Sequence, residues 1–288
     1  MEDTRLIPGQ LGQVWTEAHA PRGVPTGEPS QGTYVAFGVS WELRSDSAPV
    51  YQTLLDRLPP GAASRAGKNV ARTYALRTLP ATVSELEASY LLLADGRPLV
   101  RSSESSVIAD AFEENLRWLV AERSPRRVFL RAGVVGWRDR AIVIPGGRGT
   151  GKSILVRALV AAGARYFSED YAVLDGHMVE PYPSRLPYWP PPGQGRSGWH
   201  DLAAGREPKP VPVGVVLFAP YQPGAVFRPK LISRGKSLLG MFKHAVAAQR
   251  SPAHVLRTLE TVTRRCNALE GVRGDARAVA AYLLERLV

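Results

Sequence analysis

The chain has almost no cysteine. Cys266 is the only one among 288 residues, so an internal disulfide and a thiolate metal cluster are both excluded. It also lacks a long hydrophobic run, and no stretch approaches the roughly 20 apolar residues that span a bilayer. The start, Met1-Glu2-Asp3-Thr4-Arg5, has neither the basic region nor the apolar core of a secretory signal. Together these absences lead us to expect a cytoplasmic protein without a membrane partner. Acidic residues are the scarcer charge, 26 Asp and Glu against 37 Lys and Arg, a net charge of +11. Such an excess suits an acidic partner: a nucleotide, an acidic peptide or a nucleic acid. The basic residues are scattered, in pairs such as Arg126-Arg127 and Arg264-Arg265. They form no long block and no aromatic-interleaved RNA motif, which argues against nucleic acid. There are no internal repeats. At 44% hydrophobic, the chain can bury a sizeable core in one large or two small domains.

One stretch stands out. Gly146-Gly147-Arg148-Gly149-Thr150-Gly151-Lys152-Ser153 reads G-x-x-x-x-G-K-S, the spacing of a phosphate-binding P-loop. Glycines let backbone N–H groups turn inward around phosphate oxygens, where a Cβ would clash. Lys152 brings a cation to the β- and γ-phosphates, and Ser153 offers a hydroxyl to Mg²⁺. The motif needs a strand before it and a helix after it. Ala141-Ile142-Val143-Ile144 is short, apolar and β-branched. Ile154, Leu155, Ala158, Leu159 and Ala162 recur at helical spacing, and Gly163 supplies a stop. Residues 146–153 are therefore expected to bind a nucleotide.

Residues 1–31 are rich in Gly and Pro and predict an extended arm. Gly32 to Leu43 alternates as one strand, and Pro49 to Leu58 predicts a short helix. Strands follow over Arg72–Leu76 and Tyr90–Leu93, the second turning at Asp95-Gly96 towards Leu99-Val100. Ser106 to Glu122 is an amphipathic helix with Ile108, Phe112, Leu116, Leu119 and Val120 on one face. These elements make a small α/β unit over 1–124, and Ser124-Pro125 marks its end.

Val128 to Trp137 is a strand that Arg138-Asp139-Arg140 turns back into the strand before the glycine-rich loop. That gives the loop's strand an antiparallel neighbour, unlike an ordinary doubly wound sheet. Arg165-Tyr166-Phe167 is a short strand delivering Ser168-Glu169-Asp170 to its C-terminal end. Ala172–Leu174 and His177–Glu180 flank a turn at Asp175-Gly176. Residues 181–198 hold six prolines and predict no regular element, but either a lid or substrate loop or a disordered linker. Val211–Phe218 is a buried strand. Leu231–Ala248, Ala253–Thr263 and Asp275–Leu287 predict helices.

From Val128 to about Asp175, and more loosely onward, the chain resembles the HPr kinase/phosphorylase family and its stand-alone kinase-like relatives. The resemblance rests on Phe129-Leu130-Arg131-Ala132-Gly133-Val134-Val135, the P-loop, and the pair Glu169-Asp170, in that order. It implies an HPr-kinase-like α/β domain with a mixed sheet over 125–288, behind the small N-terminal α/β domain. It also implies transfer of the γ-phosphoryl group of ATP to a serine hydroxyl. The first third looks more like the leading domain of relatives found with peptide natural-product pathways, lasso peptide tailoring kinases among them.

Carried over, Glu169 falls on the carboxylate that takes the hydroxyl proton, and Asp170 on the carboxylate near Mg²⁺, with Ser153. Two departures stand out. The family has histidine where this chain has Arg131, and aspartate where it has Glu169. Histidine exchanges a proton near neutral pH and arginine does not, but arginine can stabilise a transferring phosphoryl group. Glu180, Arg228 and Lys230 are further candidates for contacts to phosphate or to the site's inner residues.

The resulting expectation is an ATP- and Mg²⁺-dependent kinase acting on a hydroxyl, foremost serine of a peptide or protein. The rivals are a nucleotide-gated binding module without transfer activity, and a small-molecule kinase. No N-K-x-D motif for guanine and no L-S-G-G-Q-like transporter signature occurs.

Overall fold

The computed structural model describes residues 30–67, 69–81, 88–147, 149–183 and 209–286. Most of the expected arm, the bulk of the proline-rich stretch 181–198, Arg148 and Leu287 lie outside the described residues. The chain divides into two compact units between Val120 and Ala121.

The first unit carries a six-stranded mixed sheet, in the order β3-β1-β2-β4-β5-β6. Its strands are β1 (Ser30–Ala36), β2 (Val39–Ser45), β3 (Ala63–Ser64), β4 (Arg72–Leu79), β5 (Ser89–Ala94) and β6 (Arg97–Ser102). Its helices are α1 (Ala48–Leu55) and α2 (Ser105–Arg123), the latter running on past the division. The single strand expected over 32–43 is two strands. Phe37 and Gly38 both take positive φ, 49° and 79°, and turn β1 into an antiparallel β2. A non-glycine residue in that conformation hides the turn from a sequence reading. Ile108, Phe112 and Leu116 of α2 are fully buried. Phe112 meets Tyr74 of β4 edge-on at 5.0 Å, and the Tyr74 hydroxyl donates to Asn115 Oδ1 at 2.7 Å.

The second unit is three layers. Its strands are β7 (Val128–Trp137), β8 (Arg140–Pro145), β9 (Arg165–Ser168), β10 (Tyr171–Asp175), β11 (Met178–Glu180), β12 (Val211–Phe218), β13 (Lys230–Leu231) and β14 (Asn267–Glu270). Its helices are α3 (Lys152–Ala161), α4 (Arg234–Phe242), α5 (Pro252–Thr263) and α6 (Ala276–Arg286). The strand order is β11-β10-β7-β8-β12-β14-β13, with β9 also on β7 and β11 also on β12. β7 and β8 are antiparallel, while β8, β12 and β14 are parallel.

Side chains alternate across this sheet. Val134, Val143 and Val216 face the layer that holds Val255 and Leu259 of α5. Val135, Ile142, Ile144 and Leu217 face Leu155 and Leu159 of α3 and Val279 and Leu283 of α6. With both faces covered, β7, β8 and β12 read as continuous apolar runs. Gly133 is required where β7 meets α3, because a Cβ there would stand 2.5 Å from Val156 Cγ2.

Three expectations change in detail. Ile154 is 63% exposed, so the core face of α3 is Leu155, Val156 and Leu159. The β10–β11 turn is Gly176-His177, one residue later than expected, since Asp175 pairs with Met178. The helix expected over 231–248 is the nine-residue α4 followed by turns. Its end is set by β7: Arg131 N–H donates to His244 O at 2.8 Å, and Val246 N–H to Phe129 O at 2.9 Å. Strand-like pairing thus outcompetes helical periodicity.

Among the described residues, no helix is long and apolar enough to cross a membrane.

Candidate active site

The glycine-rich loop joins the C-terminal end of β8 to α3. Gly146 N–H donates to Arg131 O at 3.1 Å, which ties the start of the loop to β7. A Cβ on Gly146 would stand 2.8 Å from Thr150 Oγ1, so the close approach needs glycine. Gly149 and Gly151 have φ of 80° and 78°, in the left-handed region. The Thr150 hydroxyl and Lys152 Nζ both donate to Gly147 O, at 3.0 and 2.6 Å. The lysine ammonium is therefore folded inside its own loop. Arg148 lies outside the described residues.

Burial pulls the Lys152 ammonium below its usual pKa, and the nearby Arg131 guanidinium adds to this. The Asp170 and Glu169 carboxylates pull the other way. Arg131, Glu169 and Asp170 are thus all within electrostatic reach of the Lys152 ammonium. The carboxylates sit on the corner between β9 and β10. The buried Ser168 hydroxyl accepts from Asp170 N–H at 3.2 Å and Tyr171 N–H at 3.1 Å, and Asp170 O accepts from Ala132 N–H at 3.0 Å.

The two carboxylates differ sharply. Asp170 is exposed. Glu169 has a side chain 2% exposed, accepts a hydrogen bond from the Ser153 side chain, and lies 3.5 Å from Arg157 Nε. Its Oε1 has no hydrogen-bond partner among the described residues. Burial is the largest influence on its pKa and raises it above 4.5; Ser153 and Arg157 oppose this. The folded state therefore keeps the Glu169 proton at pH values where the unfolded chain has lost it. Any stability from this group is complete below about pH 4.5 and declines as the pH rises towards the folded value. Glu169→Gln, which removes the buried charge, is expected to melt higher than the wild type at pH 7 in metal-free buffer. Equal or lower melting by calorimetry would contradict this.

His244 also borders the site, through its backbone bond to Arg131. Burial lowers its pKa, and Lys152, Lys243 and Arg131 lower it further. The imidazole is thus biased towards its neutral form.

Other candidates fall elsewhere. Glu180 pairs with Arg127 at 2.8 Å, and Arg127 also reaches Asp175 at 3.1 Å. That pairing ties the β10–β11 hairpin to the start of β7 and leaves Glu180 engaged away from the loop. Lys230 is on edge strand β13, three strands from β8, roughly 14 Å at ordinary strand spacing. Arg228 is exposed just before it. Burial pushes the Cys266 thiol up to about 11, which makes it a poor nucleophile.

Three residues at the site escape a sequence reading: Arg157 faces Glu169, His244 adjoins Arg131, and Arg273 lies behind the loop. Ser168 is placed by the sequence beside the carboxylates, but its part in shaping the acidic corner is not. Only Arg273 has a local signal: it stands between Gly271 and Gly274.

Among the described residues no group of three His, Cys, Asp or Glu forms a metal cage. A serine hydroxyl beside two carboxylates nevertheless fits Mg²⁺, which usually takes one or two protein oxygens and completes its shell with phosphate and water. The glycine cradle and the buried Glu169 oxygen suit a metal–polyphosphate pair.

No protein-family model matches the chain, and no curated protein does. Among solved structures, the chain is similar to the HPr(Ser) kinase/phosphatase from Coxiella burnetii. That match has 12% identity, covers 55% of this chain and 93% of the other, and has a TM-score of 0.28. A shared fold does not follow from a TM-score of that size.

Proposed function

We propose that the second unit is an ATP- and Mg²⁺-dependent phosphotransferase acting on a hydroxyl, foremost a serine of a peptide or protein. One observation carries this: a glycine cradle with an inward lysine opens onto a carboxylate pair of which one member is buried and one exposed. Phosphoryl transfer needs those parts and little covalent chemistry from the protein.

The loop amides of residues 146–151 and Lys152 would hold the phosphates. Mg²⁺, when bound, would sit at Ser153 and a neighbouring carboxylate and draw charge off the transferring group. Glu169 already takes the Ser153 hydroxyl, which suits it to the metal side. Asp170 is the exposed carboxylate, which suits it to accept the proton of an incoming hydroxyl. That exchanges the two roles expected from the family resemblance. A second assignment keeps Glu169 as the base, favoured by a carboxyl already shifted upward by burial. Arg131, beside Lys152, would offset charge on the phosphoryl group without exchanging a proton. A permanently charged residue there favours forward transfer over phosphate-driven reversal.

The test is incubation of the full chain with γ-labelled ATP, Mg²⁺ and serine-containing peptides. Label on peptide serine is expected. ATP bound but never transferred to peptides or small alcohols would favour a nucleotide-gated binding module.

A further inference from the structure

Arg273 is 1% exposed, among the most buried side chains of the protein. A buried guanidinium needs partners. Among the described residues it forms no ion pair with a carboxylate. Its partners are carbonyls: Nε donates to Ala219 O at 3.1 Å, and Nη2 donates to Gly151 O at 2.6 Å and Thr150 O at 3.4 Å. The Tyr221 ring lies 5.6 Å from the guanidinium carbon. The Arg273 backbone is pinned as well, with its N–H on Pro220 O at 3.0 Å and its O accepting from Gln222 N–H at 2.8 Å. Arg273 thus bridges the end of β12 to the end of the glycine-rich loop.

Peptide planarity gives this bridge a consequence. In a trans peptide the C=O and the following N–H point in opposite directions. The carbonyls of Thr150 and Gly151 point at Arg273, so the N–H groups of Gly151 and Lys152 point away from it. Those are the amides that a phosphate would take at the start of α3. Gly151 is constrained to match. Its φ is 78°, and a Cβ on it would collide with Arg273 Nη2. The guanidinium therefore occupies the space behind the loop that any other residue at position 151 would invade. Its charge is not cancelled by a carboxylate, so it also adds to the positive field at the loop.

We infer that Arg273 is a positioning residue for phosphate, fixing the Gly151 and Lys152 amides from behind and lending its uncompensated charge to the loop. This rests on the phosphotransferase proposal and names the residue that pre-forms its anion site. A planar fork can serve Ala219 O and Gly151 O together, and a lysine ammonium cannot match both directions.

The test uses Arg273→Met, which fills the same volume without donors, and Arg273→Lys, which keeps the charge. Mg·ATP and Mg·ADP affinities are measured by calorimetry alongside near-ultraviolet dichroism. Both variants are expected to fold and to bind Mg·ATP about 10- to 100-fold more weakly, the loss expected for charged hydrogen bonds. The loss should be smaller for adenosine, which presents no phosphate, whereas a general loosening of the fold would affect all ligands alike. Either variant binding Mg·ATP within twofold of the wild type overturns the inference. So does a failure of both to fold, because the arginine would then hold the unit together and not tune the loop. A wild-type protein that binds no Mg·ATP removes the phosphotransferase proposal and this inference with it. A binding wild type with matching variants removes only this one.

Discussion

Lys152→Ala is expected to lower phosphoryl transfer by at least about 100-fold, the scale seen when one preorganised charge donor is removed from a reacting oxyanion. The side chain is half-buried, and its ammonium already rests inside the loop on Gly147 O at 2.6 Å. A phosphate oxygen arriving there would replace that carbonyl with a charged acceptor, a stronger hydrogen bond. Alanine keeps the helix start and removes only the cation, so the melting temperature should change little. Binding should weaken along with turnover, because the charge acts on ATP in the ground state as well. Unchanged ATP affinity in a folded variant would show that the ammonium never engages phosphate.

Asp170→Asn is expected to remove most transfer, about 10²- to 10⁴-fold for loss of a general base, while leaving ATP affinity close to wild type. The side chain is exposed, so folding should not suffer. Glu169→Gln should behave differently. Its carboxyl accepts from Ser153 and faces Arg157, so its loss should raise the Mg²⁺ concentration needed for half-maximal rate more than it lowers the rate at saturation. The reverse pattern, with Asp170→Asn nearly active and Glu169→Gln dead at saturating Mg²⁺, would return the base to Glu169. Full activity in both variants would mean that the hydroxyl proton leaves by another route, and His244 would then be the next group to test.

Much of the second unit was legible from local pattern. The apolar runs of β7, β8 and β12 are continuous because both faces of their sheet are covered. The turn at Arg138-Asp139 announced the antiparallel partner of β8. Glycines marked the loop because two of them need positive φ and one meets Thr150. What stayed hidden depends on distant chain. Arg273 bonds Ala219 and Gly151, 54 and 122 residues away, and no periodicity encodes such a contact. The end of α4 is set by pairing with β7, over a hundred residues earlier in the chain, so an apolar pattern that continues to Ala248 overstates the helix. The contrast between Glu169 and Asp170 is likewise three-dimensional. In the sequence they are adjacent carboxylates, and only the corner held by Ser168 turns one inward and leaves the other in solvent.

The central claim is that residues 146–153 and their neighbours bind a metal–nucleotide pair. Titrating the wild-type chain with ATP by calorimetry, with and without Mg²⁺, tests it most directly. Saturable one-to-one binding that strengthens with Mg²⁺ and is lost in Lys152→Ala is the predicted result. No saturable binding at millimolar Mg·ATP, or binding indifferent to both the metal and Lys152, would contradict it.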